Sequence, residues 1–293
     1  MISKPKAWAL AARPKTLPAS IGPVLLGTSL AAIEQIKIAL PYIILTALCA
    51  ILLQIGTNLV NDFFDSERGL DGDERLGPKR AAQMGWLSRS ELKRGIILVF
   101  LFAFLLGIIL MKHAGLPIII IGLTSLAMAF LYTGGPFPLS YFALGEVLAL
   151  IFFGPVPVWG TYFIITKSFD WLPVFIGFIP GFVSLSLMAI NNLRDNKNDA
   201  ENKKMTIATI IGEEKARYLV IFGIFMSSMI PLFLFFIYHN YVFLLGAFLF
   251  LRHYGTWLRI LKDPISSELN KALATTGKYL FILCFVMSMG FFK

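Results

Sequence analysis

Nine separate stretches of this chain are apolar over about the length needed to cross a bilayer, and no other feature constrains its fold as strongly. One of them, "PYIILTALCAILLQIGT", carries no charged residue. The stretches fall at about 17–33, 38–63, 95–112, 116–132, 142–166, 171–193, 217–238, 240–257 and 273–292. In lipid every backbone amide must be bonded within the chain. The expected fold class is therefore an all-α membrane protein, a bundle of nine transmembrane helices forming a single domain over residues 1–293. Composition agrees. The chain is 57% apolar and 15% charged, whereas a soluble domain is about 45–50% apolar and 25% charged.

The basic residues orient the bundle. Of 26 Lys and Arg, 22 fall on the side that carries the N-terminus. Only Lys37, Lys112, Lys167 and Lys293 fall on the other. By the positive-inside rule the N-terminus is cytoplasmic and the C-terminus outside. The net charge of +9 then reflects topology, and nothing points to nucleic acid. The first apolar stretch, "AWALAA", is too short for the core of a signal peptide. With Lys4, Lys6, Arg13 and Lys15 around Trp8 and Leu10, it reads as an interfacial helix.

Two polar clusters end apolar helices on that same side. The second stretch runs into "NLVNDFFDSERGLD". Asn58, Asp62 and Asp65 share an arc of about 60° on one helix face. The sixth runs into "NNLRDNKND", and if the helix continues, Asn192, Asp195 and Asp199 share a similar arc of about 60°. Asn58/Asp62 and Asn191/Asp195 repeat the same spacing, a register compatible with a duplicated half. A basic loop follows each cluster, "ERLGPKR" and "ENKKMT". Facing carboxylates with amide oxygens suit a hard divalent cation. Mg2+ takes one or two carboxylates and binds substrate phosphates. Nearby Arg and Lys would hold the remaining phosphate charge. Acids and bases together read as a metal–diphosphate site at a membrane surface, with a substrate whose other end is lipid.

Other chemistries lack their residues. Cys49 and Cys284 lie inside apolar runs and read as packing residues. His113, His239 and His253 are scattered and form no zinc motif. "GDERLGPK" has glycines at P-loop spacing, but Pro78 stands where the lysine belongs.

These residues resemble the UbiA-type intramembrane prenyltransferases, which have nine transmembrane helices and the motifs Asn-Asp-x-x-Asp and Asp-x-x-x-Asp. Here the first is Asn61 to Asp65 and the second Asp195 to Asp199. The chain is most similar to the 1,4-dihydroxy-2-naphthoate polyprenyltransferases of menaquinone synthesis. "ARPKTLPASIGPVLLGT", "NDFFDSERGLDGDERLGPKR", "YTGGPFPLSYFALGEVLALIFFGPVPVWGTY" and "NNLRDNKNDAENKKMTIATIIG" carry the likeness. The last 80 residues show only hydrophobicity. Many family members place a third aspartate where Gly69 stands; Asp71 and Asp73 lie beyond it. Ser140 and Tyr141, where the 4-hydroxybenzoate enzymes tend to carry a basic pair, favour the naphthoate branch.

The resemblance implies a polar cavity opening to the cytoplasmic side of a bacterial inner membrane. It implies Mg2+ held by Asp62, Asp65, Asp195 and Asp199 with Asn58. It implies a diphosphate held by Asn58, Arg68, Lys79, Arg80, Lys203 and Lys204, and an acceptor side at Tyr132 and Tyr141. The substrates implied are a polyprenyl diphosphate and 1,4-dihydroxy-2-naphthoate, with diphosphate and CO2 lost. An alternative is another acceptor: 4-hydroxybenzoate, homogentisate or haem. A secondary transporter is the other class, but its site belongs near the midplane on broken helices, and these clusters sit at helix ends.

Overall fold

A computed structural model describes residues 2–35, 39–69 and 76–292. Asp71, Asp73, Arg75 and Lys37 lie outside the described residues. Thirteen helices follow in order, with no strand among the described residues. They are α1 (Lys4–Ala12), α2 (Pro18–Ile33), α3 (Leu40–Glu67), α4 (Arg89–Ala114), α5 (Leu116–Leu131), α6 (Gly145–Phe152) and α7 (Pro155–Thr166). Then come α8 (Trp171–Glu201), α9 (Ile207–Ile211), α10 (Glu213–Tyr238), α11 (Tyr241–Arg252), α12 (Tyr254–Lys262) and α13 (Leu269–Phe291).

Each of the nine apolar stretches is occupied by helix. Among the described residues six helical segments are long and apolar enough to cross a membrane: α3, α4, α6 with α7, α8, α10 and α13. A seventh is gained if the N-terminal segment and α2, bent by 49°, count as one. α5 has 16 residues and α11 has 12, about 24 and 18 Å of helix, both short of a hydrocarbon core of about 30 Å. The eighth stretch was expected to run to 257. Instead α11 stops at Arg252 and α12 follows as a separate helix, burying Trp257 and Ile260.

α8 is the hub. It packs against α2, α6, α7, α10 and α13, and Ile176, Ile179, Val183, Ile190 and Leu193 on it are fully buried. Small residues permit the closest contact. A Cβ at Gly181 would come within 2.5 Å of the Leu150 carbonyl oxygen, and one at Gly177 within 2.5 Å of Pro155 Cα. Gly177 and Gly181 thus seat α8 in the break between α6 and α7, the packing role their spacing suggests.

A second core gathers Ala7, Ala11, Leu59, Val60, Ala81, Leu87 and Leu92 under α1 and the loop before α4. Ser88 and Glu91 form a capping box that starts α4. Lys4 bonds Glu91 at 2.7 Å and the Trp86 carbonyl at 3.1 Å. These ties hold the loop carrying Lys79 and Arg80 against the end of α3.

Candidate active site

Both polar clusters are helical to their ends. α3 continues to Glu67 and α8 to Glu201, so the arcs of Asn58, Asp62, Asp65 and of Asn192, Asp195, Asp199 are real faces. The two faces line one cavity of about 660 Å³. Its polar end is formed by these side chains with Lys79, Arg80, Arg194 and Lys204. Its apolar arm runs between helices past Leu53, Ala103, Leu110, Ile118, Ile121 and Ile164.

Every aspartate at the polar end is engaged. Asp62 accepts the backbone N–H groups of Ala81 and Ala82 at 3.0 and 3.2 Å. Asp65 pairs with Arg80 at 2.7 Å, and Arg80 also donates to the Asn61 carbonyl at 2.8 Å. Asp199 pairs with Lys204 at 3.2 Å, with side chains only 3% and 13% exposed. Asp195 takes a two-pronged bond from its neighbour Arg194, at 2.8 and 2.6 Å. Asp62, Asp65 and Asp199 are buried. Such pairs hold opposed charges together at one end of an otherwise apolar space, where an unpaired charge would be costly.

The remaining expected residues divide. Asn58 lines the cavity but donates its amide to the Ala12 carbonyl at 3.0 Å and to Thr16 at 3.2 Å. Lys79 lines the cavity from an exposed position. Lys203 does not. It sits in a left-handed turn, φ 55°, and is exposed. Arg68 also points elsewhere, donating to the Thr133 and Gly135 carbonyls at 2.5 and 2.8 Å. Its guanidinium lies 5.3 Å from the ring centres of both Phe64 and Tyr141. Tyr132 lines the cavity, whereas Tyr141 is held against Arg68 outside it. Burial raises the Tyr141 hydroxyl pKa, and the charges of Asp65 on α3 and Asp199 on α8 act in the same direction.

Three contributors are absent from the sequence expectation. Arg194 is buried and bonds Asp195, Asn191 at 2.8 Å and Asn270 at 2.8 Å. Asn270, near the start of α13, also donates to the Leu76 carbonyl at 2.8 Å. Glu146 on α6 accepts from Asn192 at 2.9 Å. A polar residue at the start of an apolar helix was the one signal for Asn270. For Glu146 it was a carboxylate inside an apolar stretch.

The donor set fits Mg2+. Its groups are hard oxygens, and the buried Asp199 Oδ2 has no hydrogen-bond partner among the described residues. No three His, Cys, Asp or Glu side chains among the described residues converge tightly enough to enclose a metal alone. Mg2+ usually binds through one or two carboxylates, completing its shell with substrate phosphate oxygens and water.

The chain as a whole is similar to known proteins. The model of the UbiA prenyltransferase family matches residues 20–286. A 1,4-dihydroxy-2-naphthoate octaprenyltransferase of Haemophilus influenzae is 33% identical, the match covering 98% of this chain and 96% of that protein. The Escherichia coli protein of the same description is 32% identical over the same shares. That of Mycobacterium tuberculosis is 36% identical over 72% of each. Among solved structures, a UbiA homologue from Archaeoglobus fulgidus bound to DMAPP and Mg2+ superposes with a TM-score of 0.64 at 13% identity. That match covers 97% of this chain and 99% of the other. An apo homologue from Aeropyrum pernix gives 0.67 at 15% identity, covering 95% and 97%.

Proposed function

Because the chain belongs to the UbiA prenyltransferase family, we propose that it transfers a polyprenyl group from an allylic diphosphate to 1,4-dihydroxy-2-naphthoate, with loss of diphosphate and CO2. This is a step of menaquinone biosynthesis. The observation that carries the reading is one cavity shared by both acidic faces, ionic at one end and apolar along the other arm. A polyprenyl diphosphate has that same division.

In this reading the whole chain acts as one unit in a bacterial inner membrane. The nine apolar stretches are nine spans, and the polar end faces the cytoplasm, as the charge asymmetry favours. Asp62, Asp65, Asp195 and Asp199, with Asn58, would hold Mg2+. When bound, the ion neutralises diphosphate charge and so favours departure of the leaving group.

Arg80, Lys204 and Arg194 already hold the carboxylates in opposed pairs. Arg80 and Lys204 turn from carboxylate to phosphate oxygen when the donor enters, and Lys79 adds charge at the rim. Charge-assisted bonds of this kind are the strong ones. The apolar arm holds the chain and keeps water from the allylic carbon as its C–O bond breaks. The electron-rich ring, on the Tyr132 side, forms the new C–C bond at the carbon that bears the carboxylate. That carboxylate then leaves as CO2. Arg68 and Tyr141 brace the loop between α5 and α6.

The test supplies purified protein in detergent with Mg2+ and a long allylic diphosphate. The acceptors are 1,4-dihydroxy-2-naphthoate, 4-hydroxybenzoate, homogentisate and haem, and products are identified by mass. Prenylated product from the naphthoate alone supports the reading. Preference for another acceptor would move the chain to a different branch of the family.

A further inference from the structure

One wall of the cavity is formed by the segment between α5 and α6 together with α8, inward of the ion pairs at the polar end. Ser140 lines it, is 4% exposed, and its hydroxyl has no hydrogen-bond partner among the described residues. Its backbone N–H donates to the Tyr132 carbonyl at 2.9 Å, which ties it to the end of α5. Asn192 lines the same wall and is 4% exposed.

Behind Asn192 stands Glu146, 1% exposed, in the first turn of α6. Its Oε1 accepts from Asn192 Nδ2 at 2.9 Å, and its Oε2 has no partner among the described residues. Because Glu146 Oε1 accepts this bond, it holds the amide nitrogen toward itself and leaves the Asn192 carbonyl oxygen as the remaining acceptor.

Asn192 shares its helix face with Asp195 and Asp199, about 4.5 and 10.5 Å further along the axis. The wall therefore lies just inward of the ionic end, where a ring attacking the first carbon of an allylic chain must sit. It offers a hydroxyl and an amide oxygen, both of which can accept from a hydroxyl donor. A ring bearing both hydroxyl and carboxylate turns its hydroxyl to this wall and its carboxylate toward the cationic side.

We propose that Ser140 and Asn192 bind the hydroxyl edge of the aromatic acceptor, and that Glu146 is a positioning residue fixing the Asn192 amide. The inference rests on the prenyl-transfer reading above.

Calorimetry of the detergent-purified protein with Mg2+, titrated separately with 1,4-dihydroxy-2-naphthoate and with a prenyl diphosphate, tests it without turnover. Asn192→Ala is expected to bind the naphthoate about tenfold more weakly, equivalent to about 1.4 kcal/mol. Binding of the diphosphate should stay within about twofold, since its ion pairs are intact. Ser140→Ala should weaken the naphthoate by a few-fold. Glu146→Gln should do the same, and the double variant Glu146→Gln/Asn192→Ala should bind no worse than Asn192→Ala alone, the non-additivity of residues acting through one another. Unchanged naphthoate affinity in both Asn192→Ala and Ser140→Ala overturns the proposal. So does an equal loss for both ligands. Additive loss in the double variant refutes the positioning role of Glu146. If Glu146→Gln fails to fold, the two cavity-lining variants still decide the subsite. Wild-type protein that binds the naphthoate there yet forms no prenylated product would sink the transfer reading and leave this subsite standing.

Discussion

Lys203 and Lys204 are neighbours of equal charge, and membrane topology counts them alike. The structure separates them. Lys204 lines the cavity and bonds the buried Asp199 at 3.2 Å. Lys203, turned away by its left-handed backbone, is exposed. If Lys204 moves to a diphosphate oxygen when the donor binds, Lys204→Met removes one buried charge-assisted hydrogen bond, about 1.5–3 kcal/mol, or roughly 10- to 150-fold in kcat/KM for the prenyl diphosphate. Lys203→Met removes an exposed charge, at most about 1 kcal/mol. The naphthoate KM should hold in both. Steady-state kinetics in detergent measure this, varying each substrate in turn. Breaking a buried pair also lowers stability, so thermal midpoints accompany the kinetics, and Lys204→Met/Asp199→Asn removes the uncompensated charge. Equal small effects at both lysines would refute the reasoning and leave the basic residues a role in topology alone.

Other consequences follow from the same geometry. Chelation with EDTA should abolish turnover and added Mg2+ restore it, and Asp195→Asn should cut activity and, by weakening the pair with the buried Arg194, also lower the thermal midpoint. A Cβ at Gly122 would meet Met111 Cε within 2.5 Å beside the apolar arm, so Gly122→Leu should impair long prenyl donors more than a ten-carbon donor when product yields are compared across chain lengths. Gly181→Leu would press on the Leu150 backbone, and overpacking of this kind should destabilise the protein by about 1–3 kcal/mol, read as a lower thermal midpoint. Cysteines placed at Ser66 and Asn198, after replacement of Cys49 and Cys284, should resist an impermeant reagent added outside intact cells. Labelling of either would contradict the cytoplasmic orientation.

The acidic faces were legible because helical periodicity is local. Asn58, Asp62 and Asp65 needed only the knowledge that α3 continues. What each base holds was not legible, because the partner lies far along the chain. Arg68 sits next to the first motif, yet its partners are the Thr133 and Gly135 carbonyls. Arg194 adjoins Asp195 in sequence, but its burial depends on Asn270 from α13, in a region that showed only hydrophobicity. Lys203 has a left-handed backbone and Lys204 does not, a difference that two identical neighbouring residues cannot signal. The break after Arg252 was hidden because no proline marks it, and Gly255 in the first turn of α12 reads as one more glycine tolerated inside a span. Glu146 was visible only as an anomaly, a carboxylate in an apolar stretch, until Asn192 was found beside it.

The most direct test of the account uses 1,4-dihydroxy-2-naphthoate labelled in its carboxylate. Wild-type protein with Mg2+ and a polyprenyl diphosphate should release one labelled CO2 for each prenylated ring and each diphosphate formed, with no release when the diphosphate donor is omitted. Prenylated product that retains the label, or labelled CO2 without donor, would contradict transfer coupled to loss of the carboxylate.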